Sequence, residues 1–155
     1  MGTHLKPGDP APEFAAPATD GRLLRSTDYL GRKLVLYFYP MDDTPGCTKQ
    51  ACSLRDTSAS IASRGAAIVG VSAQGSESHQ RFTEKYSLNF PLLADTDLKI
   101  AKAYGVAGSG LSGLLRSVAK VSERVTFIID EKGRISHIID DPDCPDHGEE
   151  VLALL

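Results

Sequence analysis

Apolar side chains run unbroken from Leu34 to Tyr39, between Lys33 and Pro40. A strand with one wet face would alternate. This one offers apolar side chains to both sides, which predicts a buried central strand ended by a proline. Ala66 to Ala73 reads as a second strand. Between them, Met41 to Cys47 is rich in turn formers. Thr48 to Arg64 then places Ala51, Leu54, Ala59, Ile61 and Ala62 at roughly helical spacing, with Gly65 to close the helix. Strand, helix and strand in that order make a crossover unit with parallel strands, so the fold class is α/β.

Further along, Glu77 to Tyr86 predicts a second helix, Pro91-Leu92-Leu93 a short extended piece, and Asp97 to Tyr104 a third helix stopped by Gly105. Val125 to Ile129 and Arg134 to Ile139 flank the turn Asp130-Glu131-Lys132-Gly133, which predicts an antiparallel hairpin. A parallel crossover followed by a hairpin gives a central mixed β-sheet flanked by helices. The tail from Asp146 to Leu155 carries Val151, Leu152, Leu154 and Leu155 in the pattern of a last amphipathic helix. Near the start, the prolines from Pro7 to Pro12 favour extended or turn structure along the surface, pinned by Phe14, followed by a turn at Asp20-Gly21 and a short capped turn at Ser26 to Gly31. The Gly- and Ser-rich segment 107–123 fits a loop or a short helix equally. With no repeat and no linker, 155 residues are expected to form a single domain, 1–155.

Charge narrows the partners. Seventeen basic against 20 acidic residues leave a net charge of −3, so no positive field exists to hold nucleic acid or an anionic membrane. No apolar run approaches the roughly 20 residues needed to span a bilayer. Met1 to Pro7 lacks the basic-then-apolar order of a secretory signal, so a cytoplasmic location is expected. The three cysteines, Cys47, Cys52 and Cys144, are too few and odd in number for a disulfide scaffold, which turns attention to their chemistry.

Cys47 falls where the loop after the central strand meets the helix. A helix amino terminus presents unsatisfied N–H groups and the positive end of the macrodipole, and both favour a thiolate over a thiol. A more stable thiolate is also a weaker nucleophile, so a specialised catalyst needs groups that bind the transition state as well. Thr44, three residues before the sulfur, carries a hydroxyl that both donates and accepts, which suits a substrate with adjacent oxygens.

The stretch Pro40-Met41-Asp42-Asp43-Thr44-Pro45-Gly46-Cys47-Thr48-Lys49-Gln50-Ala51-Cys52-Ser53-Leu54-Arg55-Asp56 resembles the peroxiredoxins, and among them the PrxQ or bacterioferritin comigratory protein subgroup. Pro40, Thr44 and Cys47 meet the family pattern P-x-x-x-T-x-x-C, and Cys52 matches the subgroup's resolving cysteine. Matches also run from Gly8 to Phe14 and from Arg124 to Asp130, covering most of the chain. The resemblance implies a thioredoxin-like fold and a thiol-dependent peroxidase acting on hydrogen peroxide and organic hydroperoxides, with no metal or prosthetic group as cofactor. Cys47 would be oxidised to a sulfenic acid and condense with Cys52, and a thioredoxin-type reductant would restore the thiols. Arg124 matches the family's active-site arginine, permanently charged and able to hold thiolate and peroxide oxygens together, while Pro40 would shield the sulfur.

Geometry adds an expectation. Five residues along an ideal helix separate α-carbons by about 8.6 Å, and a disulfide tolerates at most about 7 Å. The first turn of the helix should therefore unwind in each cycle. Two departures from the subgroup stand out: Gln50 replaces a common glutamate, so Arg124 would gain only a neutral acceptor, and Cys144 has no counterpart. Cys144 reads as an extra thiol before the last helix, or else as a backup resolving or intermolecular cysteine.

Other readings compete. Cys47 and Cys52 could be unremarkable buried cysteines; a dithiol exchanger would use C-x-x-C; a zinc site would need Cys47, Cys52, Cys144 and His147 to converge. His79, His137 and His147 read as surface or strand residues, Asp42-Asp43 as a solvated turn, and Arg55 as a helix-surface residue or an orienting group. No exposed apolar stripe is legible, and the subgroup includes both monomers and dimers, so a monomer or weak dimer is expected.

Overall fold

The computed structural model describes residues 3–107 and 121–155. Of the segment read as loop or short helix, residues 108–120 lie outside the described residues. Seven strands are present, β1 (Ala15–Pro17), β2 (Leu23–Arg25), β3 (Lys33–Phe38), β4 (Ala66–Ser72), β5 (Leu92–Ala94), β6 (Val125–Ile129) and β7 (Ile135–Asp140), among the described residues. The helices are α1 (Pro45–Ser63), α2 (Ser76–Tyr86), α3 (Lys99–Ala103) and α4 (His147–Leu152), with a 3₁₀ turn at Ser26–Tyr29 and another at Cys144–Asp146.

Five strands form one sheet in the order β5-β4-β3-β6-β7. β3, β4 and β5 are parallel, because α1 and α2 carry the chain back between them, while β6 pairs antiparallel with both β3 and β7. β3 is thus central, as its uninterrupted apolar run requires. Its alternate side chains enter two cores: Leu34, Leu36 and Phe38 pack with Val69, Phe127, Ile100 and Tyr104, whereas Val35, Tyr37 and Tyr39 pack with Leu54 and Ile61 of α1, Phe82 of α2 and Val151 of α4. Val35 to Tyr39 are at most 1% exposed. Each large side chain so buried contributes about 1.5–3 kcal/mol, which makes the end of β3 a stiff platform.

The hairpin β6–β7 and the crossover β3–α1–β4 follow the sequence pattern. Gly65, at φ 78°, ends α1 where a left-handed residue is needed. Several elements differ, among them α3, which spans Lys99–Ala103 where the pattern predicts Asp97 to Tyr104. Helix α1 begins at Pro45 rather than Thr48, since Pro45 stands at the first helical position, where a missing N–H and a preset φ cost nothing. The tail helix spans 147–152 rather than 146–155: Pro145 holds its start in the 3₁₀ turn, and the helix ends after Leu152. The ribbon β1–β2 carries no periodicity, each strand having only three residues. The proline-rich start turns at Lys6–Asp9 and then follows the β6–β7 hairpin, with Gly8 N–H donating to Ile135 O at 2.8 Å and Ala11 N–H to Gly133 O at 2.9 Å. Phe14 is buried, as expected. Among the described residues no helix is long and apolar enough to cross a membrane.

Candidate active site

The site forms where β3 ends. Antiparallel register sets Phe38 against Val125, so Arg124, the residue before β6, arrives beside the loop that leaves β3. Ser122 Oγ donates to Tyr39 O at 3.0 Å and ties the two segments together.

Thr44 is the N-cap of α1, but its side chain does not cap the helix. Its hydroxyl donates instead to Met41 O at 2.9 Å, which leaves its lone pairs free to accept. The next residues are Pro45, which has no N–H, then Gly46 and Cys47, whose N–H groups point out of the helix mouth. Cys47 therefore lies in the first turn of α1, and it is 1% exposed. Cys52 sits further along the same unbroken helix, half-buried, and Cys47, Cys52 and Cys144 are all free thiols.

Arg124 reaches this turn. A Cβ placed on Gly46 would lie 3.1 Å from Arg124 Nη2 and 3.8 Å from Cys144 Sγ, so a side chain here would crowd the guanidinium. Arg124 Nη1 donates to Gln50 Oε1 at 2.7 Å. The amide is a neutral acceptor, as the sequence implied, and it still makes a short bond to the arginine. Gln50 is fully buried, and its Nε2 has no hydrogen-bond partner. The Tyr37 hydroxyl is likewise buried without a partner. Burial pushes the Tyr37 phenol well above its ordinary range, with the nearby Cys47 adding to the shift, so Tyr37 remains a neutral donor.

The loop from Pro40 to Thr44 is held from below by a network that the sequence reading missed. Asp42 is buried, not solvated. Its carboxylate accepts from Tyr39 Oη at 2.6 Å and Ser78 Oγ at 2.7 Å, and it faces His79 Nδ1 at 2.7 Å. Burial works to raise the Asp42 pKa, but the bonds from His79, Tyr39 and Ser78 outweigh it and hold the carboxyl below its ordinary value. Gln74 accepts from the Asp42 N–H at 3.0 Å and donates from Nε2 to Pro40 O at 3.4 Å. Asp43 does face solvent, where it pairs with Lys85 at 2.8 Å and the Tyr86 hydroxyl at 2.7 Å. His79 and His147 are both fully buried, contrary to the surface reading, because each ring meets polar partners from distant elements. His137 lies on β7, as read. Arg55 turns to Asp56 and to Tyr86 O, so it ties α1 to the end of α2.

The structure thus brings Cys47 and Arg124 together around Gly46, with Gln50 as the anchor of the arginine and Cys144 unexpectedly close. Among the described residues no three His, Cys, Asp or Glu side chains converge in the manner of a metal site, so the set Cys47, Cys52, Cys144 and His147 is not assembled as one. Of the missed residues, Gly46 carried a signal, a glycine directly before the cysteine at a helix start. Asp42 and His79 carried none without knowledge of their contact.

The pattern of the AhpC/TSA family matches residues 7–138. The chain belongs to that family. It is 39% identical to peroxiredoxin Bcp of Escherichia coli over 148 residues, covering 96% of this chain and 94% of the relative. PrxQ of Xylella fastidiosa, solved as a cysteine-to-serine variant, superposes with a TM-score of 0.87 at 29% identity, covering 98% and 96% of the two chains. The bacterioferritin comigratory protein of Xanthomonas campestris, whose structures address alkyl peroxide reduction through a trapped intermediate, superposes with a TM-score of 0.80 at 28% identity, covering 90% and 88%. The chain is therefore a peroxiredoxin of the Bcp/PrxQ kind with the thioredoxin-like fold, and a thiol-dependent peroxidase.

Proposed function

We propose that Cys47 is the thiol this peroxidase oxidises, with Thr44, Arg124 and Pro40 forming the peroxide pocket and Cys52 resolving the product. The Cys47 thiolate attacks one oxygen of ROOH, whose O–O bond breaks. Cys47 becomes a sulfenic acid and the second oxygen leaves, protonated, as ROH. Cys52 then condenses with the sulfenic acid, releasing water and forming a Cys47–Cys52 disulfide. A thioredoxin-type dithiol supplies the two electrons that restore both thiols. All electrons come from sulfur, so the cycle calls for no metal.

The supporting observation is the Arg124 guanidinium seated against Gly46 and bonded to Gln50, beside a cysteine in the first helical turn. A fixed cation there attracts both the thiolate and the developing charge on the leaving oxygen. The free hydroxyl lone pairs of Thr44 would accept from the peroxide O–H.

Because α1 is continuous from Pro45 through Cys52 in the thiol form, its first turn must open before Cys47 and Cys52 can bond. Residues 1–155 would act as one domain, a monomer or weak dimer in the cytoplasm. In support, the large apolar side chains exposed among the described residues, Leu23, Leu30, Met41 and Leu154, are few and come from different parts of the chain. Titrating reduced protein with hydrogen peroxide tests the assignment. Two thiols should vanish per chain and return with thioredoxin, and Cys47→Ser should reduce peroxide consumption to background. Undiminished consumption by Cys47→Ser would refute it.

A further inference from the structure

Cys144 lies 72 residues beyond the end of β4 in sequence, yet it comes to rest at the mouth of α1. Its sulfur is 3.8 Å from the position a Gly46 Cβ would occupy, and the Arg124 guanidinium touches that same position. Adding the Cα–Cα step to Cys47 puts the Cys144 sulfur within about 9 Å of the Cys47 α-carbon. The geometry points to Cys144 as a second resolving thiol, which condenses with the Cys47 sulfenic acid in competition with Cys52. The step forms a Cys47–Cys144 disulfide and releases the sulfenic oxygen as water, and a dithiol reductant reopens it. This rests on Cys47 being the peroxide-oxidised thiol.

Three observations carry the assignment. First, the two candidate thiols face different obstacles. Cys52 shares an unbroken helix with Cys47 and reaches it only after that helix opens. Cys144 belongs to a separate 3₁₀ turn, Cys144–Asp146, which packs on α1 while its Pro145 and Asp146 stay exposed. It needs a shift of that turn and leaves α1 intact.

Second, the turn is anchored just downstream, so it stays at the site. Gly148 N–H donates to Ser53 Oγ at 2.8 Å, next to Cys52 in sequence. A Cβ on Gly148 would collide with Thr57 Oγ1 and fall 2.6 Å from Ser53 O, so α4 lies against α1 as closely as glycine allows. His147 bonds Thr126 Oγ1 at 2.8 Å and Glu150 Oε1 at 2.9 Å, and the same Glu150 oxygen accepts from Asp143 N–H at 3.0 Å.

Third, the site holds a donor with nothing to bind. Gln50 Nε2 is buried and unpartnered, on the same carboxamide whose oxygen fixes Arg124. A sulfenic oxygen on Cys47 would supply an acceptor there and leave as water when either thiol attacks. The Cys144 thiol itself is pushed up by burial, with Arg124 opposing and Cys47, Asp143 and Asp141 reinforcing the shift. It therefore waits as a protonated thiol near neutrality.

The test uses Cys52→Ser, fully reduced, with one equivalent of hydrogen peroxide. Its remaining thiols, Cys47 and Cys144, should both disappear from the thiol titre. Non-reducing peptide mass spectrometry should show them linked within one chain, and dithiothreitol should restore both. The Cys52→Ser/Cys144→Ser protein should instead hold a sulfenic acid that dimedone traps, and Cys52→Ser/Cys144→Ala should match it, which guards against an effect of serine itself. If Cys52→Ser keeps a free Cys144 beside a dimedone-reactive Cys47, or links chain to chain, the second-resolver assignment is wrong while the peroxidase one stands. If Cys47 emerges unmodified, both are wrong.

Discussion

Two fully buried histidines flank the Cys47 helix, and their partners set them in opposite proton states. His79, on α2, faces Leu93 O at 2.9 Å through Nε2 and Asp42 Oδ2 at 2.7 Å through Nδ1. A carbonyl and a carboxylate only accept, so both ring nitrogens must donate, and His79 with Asp42 forms a buried ion pair beneath the Pro40–Thr44 loop. His147, at the start of α4, faces Glu150 Oε1 through Nδ1 and the Thr126 hydroxyl through Nε2. A hydroxyl can donate, so this ring needs only one proton. Burial pushes the His147 pKa down, with Glu150 opposing, and the ring stays neutral. Equal burial thus gives a charged clamp on one side and a neutral one on the other, and the chemistry of the neighbours decides which.

The largest effect should come from breaking the charged clamp. In His79→Leu the Asp42 carboxylate stays buried with its counter-charge gone, which costs about 3–5 kcal/mol in systems of this kind. Denaturant unfolding should show that loss, and peroxide consumption should fall with it as the Pro40–Thr44 loop slackens. A loss under about 1 kcal/mol would mean that Asp42 is adequately served by Tyr39 and Ser78 alone.

The neutral clamp should reveal itself through pH. The unfolded chain takes up a proton at His147 below pH 6.5, the ordinary value, while the native ring resists it. The unfolded state then binds more protons, so unfolding free energy should fall as pH drops below 6.5. His147→Gln, which cannot titrate, should show a shallower fall over the same range. Parallel curves for the two proteins would remove His147 from the acid response.

The smallest effect should come from Asp43, one residue from Asp42 but in solvent. Its bonds to Lys85 and Tyr86 hold its carboxyl below the ordinary range, yet exposed pairs of this type are screened by salt and water. Asp43→Asn should leave the unfolding midpoint and the peroxide rate where they were, and asparagine tolerates the left-handed φ of 56° found there. A clear loss in either measurement would extend the clamp into the exposed half of the loop.

The elements that were legible in the sequence are those whose signal is local. The double-sided apolar run of β3, the turn between β6 and β7, and Gly65 each report their structure through neighbours in the chain. The start of α1 was misplaced because Pro45 and Gly46 look like turn formers, although a proline suits the first helical position. Asp42 looked solvated because nothing near it in sequence neutralises it; its partner His79 lies 37 residues on. His147 looked like a surface residue because Thr126, 21 residues back, is invisible from the tail.

What the sequence by itself determined is a cysteine-bearing loop between a buried strand and a helix, since turn chemistry and hydrophobic period act over a few residues. Tertiary structure decided which distant groups join Thr44 and Gln50 around that cysteine. Antiparallel register carries Arg124 to Gln50 across 74 residues, and the close approach of α4 to α1 at Gly148 brings Cys144 beside Gly46. The reason is physical: a buried polar group must find a partner wherever the packed backbone supplies one, and sequence proximity has no bearing on that demand.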